Sequence, residues 1–111
     1  MSEFGPEAMA VEWLHDHFAK HEALRHLRVR RRGRVVTIES GPAADPVAHA
    51  RFRRDTVHLW WLEMPARGGR WDRTPYRDQI ERLMATLAEV FPWTLRHVDA
   101  PEADGTSDRG Y

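Results

Sequence analysis

The chain has no cysteine. That excludes disulfides, thiolate nucleophiles and Cys-ligated zinc. Serine is scarce, at Ser2, Ser40 and Ser107, and no G-x-S-x-G, P-loop or G-x-G-x-x-G pattern occurs. Lysine is almost missing, with Lys20 alone among 17 basic residues. No apolar run approaches the roughly 18 residues of a membrane helix. The first residues are acidic and carry no apolar core of a signal peptide, so the expected compartment is the cytoplasm.

What is present is arginine, and it is segregated. The 111 residues carry 17 bases and 17 acids, a formal net charge of zero. Residues 1–23 hold five acids and one base, residues 24–77 hold thirteen arginines and five acids, and residues 78–111 hold seven acids and three arginines. The segments therefore sum to −4, +8 and −4. A G+C-rich coding bias accounts for Arg over Lys but not for the clustering. Arginine grips phosphate and carboxylate bidentately and stacks on flat rings, which lysine does not.

The periodicity predicts a helix over 6–24. Pro6 stands at its first position, Glu7 and Glu12 lie near its N-terminal end, and Met9, Val11, Trp13, Leu14, Phe18 and Leu24 line one face. A hairpin follows. Leu27 and Val29 alternate with Arg28 and Arg30, Gly33 turns the chain, and residues 34–39 return rich in β-branched side chains. Residues 47–54 predict a third strand, with Ala48, Ala50 and Phe52 inward and His49, Arg51 and Arg53 outward. Residues 56–63 are apolar at nearly every position and are expected to form a central strand. Residues 70–73 are expected as a short edge strand. A second helix is expected over 75–90, with Thr74 as cap and Pro75 at its first position. Residues 93–98 would pack back as a short extension or a sixth strand, and 99–111 reads as a disordered acidic tail.

The order is αβββββα, a single α+β domain over residues 6–98. Short connections favour an antiparallel meander of five strands, or six if 93–98 adds one. Each helix has one apolar face, so both would cover the same side in a two-layer arrangement and leave the other side open.

Residues 46–71 contain Pro46-Val47-Ala48, Arg51-Phe52-Arg53, Leu59-Trp60-Trp61 and Gly69-Arg70-Trp71. In these the sequence resembles a small family of uncharacterised bacterial proteins, a domain of unknown function. The 64–69 turn is longer than the pattern and holds Pro65. The resemblance implies a strand pattern and no chemistry.

Three candidate sites follow. The first is the open sheet face, where Arg28, Arg30, His49, Arg51 and Arg53 would supply charge. One of Trp60 and Trp61 must also lie there, and Trp60, sharing a side with His58 and Leu62, is the one taken to stack. Such a face holds an anionic partner, nucleic acid or an acidic protein surface. The competing interpretation is an ordinary solvated face, its arginine stems covering the rings and its heads paired to Glu39 or Asp72. The second is metal-ligand spacing at His17 and His21, flanked by His15, where Asp16 could add an oxygen but a third ligand would have to come from afar. The third is catalytic. Ser40 would need Asp45 and His49 to converge on it, and Asp55 and Glu63 lie too far apart along one strand to cooperate, so no catalytic residue and no cofactor is assigned. Self-association through the open face or the 70–73 edge, giving a homodimer, is the alternative role.

Overall fold

A computed structural model describes residues 5–96; the expected acidic tail at 99–111 lies outside them. Helix α1 runs Pro6–Lys20 and buries Glu7, Ala10, Leu14 and Phe18, a stripe spaced three and four apart. His21 ends it in an extended conformation, and Glu22–Leu24 is a separate 3-10 turn, so the expected helix stops one turn early.

Strands β1 (Arg28–Arg32), β2 (Val35–Ser40), β3 (Val47–Arg54), β4 (Trp60–Pro65) and β5 (Trp71–Asp78) form one antiparallel sheet in the order β1-β2-β3-β4-β5. Gly33 takes φ 59° in the β1–β2 turn, a backbone region that disfavours any residue with a Cβ. The meander is the expected one, with β3 at its centre; the aromatic strand β4 is next to the edge. β4 also begins later than expected, because the Asp55 and Thr56 amides close a turn on the Leu59 carbonyl.

Strand β5 is twice the expected length and absorbs Thr74 and Pro75, which were expected to open the second helix. Between the pairs Trp61↔Arg77 and Glu63↔Arg73 it carries extra residues. In that bulge the Thr74 hydroxyl donates to the Leu62 carbonyl at 2.9 Å, a bond that Pro75 has no N–H to make. Proline is tolerated there because β5 is an edge strand. Helix α2 then spans Ile80–Val90 from a Gln79 cap, and Pro92–Leu95 forms a 3-10 turn where an extension or sixth strand was considered.

Both helices lie on one side of the sheet. Leu14 and Phe18 of α1 and Leu83, Met84 and Leu87 of α2 share one core with Val36, Ile38, Ala50, Phe52, Trp60 and Leu62. The strand residues between these have the opposite parity and face away from the helices. No helix among the described residues is long and apolar enough to cross a membrane.

Candidate anion-binding sheet face

The register assembles the uncovered face. One cross-strand row reads Arg30, Thr37, Arg51, Glu63, Arg73; the next reads Arg32, Val35, Arg53, Trp61, Arg77. Arg28 stands opposite Glu39 at one end. Seven arginines thus share the face with two glutamates, and Asp55 meets Arg77 at its border at 2.6 Å.

The glutamates are buried beneath the arginines. Glu39 and Glu63 are each 5% exposed. Glu39 accepts from Arg28 at 3.4 Å and Arg30 at 3.2 Å. Glu63 accepts from Arg51 at 2.5 Å and Arg53 at 3.2 Å, with Arg73 at 3.7 Å. Burial by itself would raise the Glu63 carboxyl, but hydrogen bonds and charge from Arg51 and Arg53 outweigh it and hold it below its ordinary value.

Guanidiniums also lie over the indoles. Arg51 stands 4.4 Å from the Trp71 ring centre, and Arg73 and Arg77 stand 4.7 Å and 5.9 Å from that of Trp61. Stacking holds each guanidinium in one plane and leaves its N–H edge for an anion. The side chains of Arg30, Arg53 and Arg73 remain 51%, 40% and 49% exposed.

Arg28, Arg30, Arg51 and Arg53 occupy the expected face; two other expected members do not. Trp60 is 3% exposed and belongs to the core, and its neighbour Trp61 takes the open side. His49 is 2% exposed and turns toward the helix side, while Ala48, expected inward, is exposed. The cause is a bulge. Ile38 pairs Ala50 and Glu39 pairs Ala48, so His49 is the unpaired residue and the period of two slips by one. Sequence reasoning missed Arg73, Arg77, Trp71 and Glu63 as members of this face; it puts one of Trp60 and Trp61 there, and the structure shows that one to be Trp61.

His49 instead forms a clasp. Its Nδ1 donates to the Thr94 carbonyl at 2.5 Å, which leaves Nε2 to accept the Ser40 hydroxyl at 2.7 Å. The Thr94 hydroxyl donates back to the His49 carbonyl at 2.7 Å. Ser40 and His49 do converge, but the group on Nδ1 is a carbonyl and not Asp45. The clasp fastens the Pro92–Leu95 turn to the sheet. Another missed residue, Glu7, is buried on α1 and pairs with Arg54 of β3, tying that helix to the strand.

The clasp predicts acid sensitivity. Burial pushes the His49 imidazole below 6.5, its ordinary value; His26 acts in the same direction and the Thr94 carbonyl opposes. Unfolded His49 therefore binds a proton at a pH where the folded residue does not. Its contribution is complete above pH 6.5 and is lost as pH falls toward the folded value. His17, lowered by burial, His21 and Lys20, has the same sign. Thermal midpoints should fall as pH drops from about 7 to 5, and the slope should be shallower in His49→Gln. An equal slope in that variant would remove His49 from the account.

At the metal candidate, the His17 and His21 rings lie tilted at 42° with centres 4.4 Å apart, and His21 Nδ1 donates to the His17 carbonyl at 2.8 Å. Among the described residues no group of three or more His, Asp or Glu side chains is placed to hold a metal ion. Comparison with family models, curated proteins and solved structures finds no match to this chain.

Proposed function

We propose that this protein is a small binding module whose arginine-covered sheet face holds an anionic partner. One observation carries the proposal: five guanidiniums meet two buried glutamates, with Arg32 and Arg77 beside them, on a face that neither helix covers. The glutamates neutralise part of that charge and fix the arginine stems; the excess is positive and preorganised. Both partner classes, nucleic acid and an acidic protein surface, present anions that such edges can grip. The acidic surface is favoured, because the indoles that would stack bases already carry guanidiniums. Catalysis has no part in this reading, and the protein is taken as cytoplasmic.

Trp61 and Trp71 lie on this face, so intrinsic fluorescence reports its occupation. Polyglutamate should change the emission at about 50 mM salt and lose most of its affinity at about 200 mM. Single-stranded and duplex oligonucleotides are the parallel arms. Tighter binding of the single strand would transfer the role to nucleic acid. The double variant Arg30→Gln, Arg73→Gln should weaken binding about tenfold. No response to any polyanion at low salt would remove the proposal. Self-association is the second reading, supported by the outer edge of β5, which pairs with no strand among the described residues. Pro75 and the charges of Asp72, Arg73, Arg77 and Asp78 blunt that edge.

A further inference from the structure

On the helix side of the sheet, one groove is lined by acidic and apolar side chains. A cavity of about 670 Å³ opens between α1, the 55–59 turn and the start of α2. Its walls include Met9, Trp13, Val57, Trp60 and Ile80. Met9 is 65% exposed and Val57 58%, which is unusual for apolar side chains beside a core. Glu12 and Asp16, one turn apart on α1, and Glu81 on α2 also line it, and the lining holds neither lysine nor arginine. None of these three carboxylates has an ion-pair partner among the described residues. Trp60 adds an independent sign. Its indole is buried in the wall, and its N–H has no hydrogen-bond acceptor among the described residues. A buried indole N–H ordinarily has a partner.

The geometry points to this groove as a binding site for a small organic cation with an apolar body and a carbonyl or ether oxygen. The volume falls within the range of small-molecule sites. The ammonium group would sit among Glu12, Asp16 and Glu81 with the Trp13 ring beside it, where carboxylates and an aromatic face both favour a cation. The apolar body would cover Met9, Val57 and Ile80, and the oxygen would satisfy the Trp60 N–H. This site is separate from the arginine face and takes a ligand of opposite charge.

Butyrylcholine is a suitable probe, with its uncharged isostere 3,3-dimethylbutyl butyrate and with butyrate as controls. The readout is the set of indole N–H signals in a ¹H–¹⁵N spectrum of the whole chain, with Trp60 assigned from Trp60→Phe. Butyrylcholine at on the order of 1–10 mM should shift Trp60 and Trp13 and leave Trp61 and Trp71 in place. The uncharged ester should bind about tenfold more weakly, and Glu12→Gln with Glu81→Gln should weaken butyrylcholine about tenfold. Both glutamates are exposed, so the fold should tolerate the change. Equal shifts from ester and cation would make the groove only an apolar surface and overturn the assignment. So would shifts at Trp61 and Trp71, or no shift at all. A basic amphipathic peptide that moves Trp60 where butyrylcholine does not would give the groove to a protein partner instead, and likewise overturn it.

Discussion

Glu63→Gln is expected to cost about 3 kcal/mol of folding stability and, in the same protein, to tighten anion binding. Glu63 is 5% exposed and meets Arg51, Arg53 and Arg73. Glutamine keeps the shape but removes the charge that lets three guanidiniums crowd together. Arg51 is the partner most affected, because its side chain is only 20% exposed. Arg53 and Arg73, at 40% and 49%, recover part of their solvation in water, which places the loss at the low end for a broken buried pair. Glu39→Gln should cost less, since its two partners are 37% and 51% exposed. Urea unfolding at constant m-value measures the loss. The released guanidiniums should bind polyglutamate up to about tenfold more tightly at low salt. A variant as stable as the parent would mean that Glu63 neutralises nothing essential. A variant that is destabilised without tighter binding would mean that the arginines serve the fold alone.

That opposition between stability and binding was partly legible in the sequence. The alternation of Leu27 and Val29 with Arg28 and Arg30, and of Phe52 with Arg51 and Arg53, sets which side chains leave the core. Two amphipathic helices then set which side of the sheet stays open. Glu39 enters the sequence reading only in the competing interpretation, beside Asp72, as a partner for the arginine heads, and it is Glu39 that takes Arg28 and Arg30. Glu63 does not enter as a partner, since the register of β3 against β4 places it beside Arg51 and no periodicity within one strand reports register.

Elsewhere the signal was present but ambiguous. Thr74-Pro75 is a good helix opening, yet it fits an edge-strand bulge equally well once the Thr74 hydroxyl replaces the absent N–H. The tertiary alternative prevails because the extended backbone carries Tyr76 onto the core and Arg77 onto Trp61. At His49 a bulge inverts the alternation that held for the neighbouring residues. Residues 47–50 contain neither glycine nor proline to mark it. Residues 59–62 are Leu-Trp-Trp-Leu, apolar throughout, so alternation cannot say which tryptophan faces inward.

The two adjacent tryptophans accordingly give the sharpest contrast. Trp60→Ala should destabilise the protein by about 3–5 kcal/mol, the cost of deleting a large buried aromatic and leaving a partly collapsed cavity. Trp60 belongs to the buried cluster that also holds Phe52, Leu62 and Ile80. Trp61→Ala should cost about 1 kcal/mol, because the residue is half-buried and its main partners are the guanidiniums of Arg73 and Arg77. The order reverses for binding. Trp61→Phe should abolish much of the fluorescence response to polyglutamate, whereas Trp60→Phe should preserve it, since Trp60 lies beneath the sheet. Denaturant midpoints and the two titrations test both halves. Equal destabilisation by the two alanine variants would contradict the assigned faces. A polyanion response that followed Trp60 would move the anion site off the arginine surface altogether.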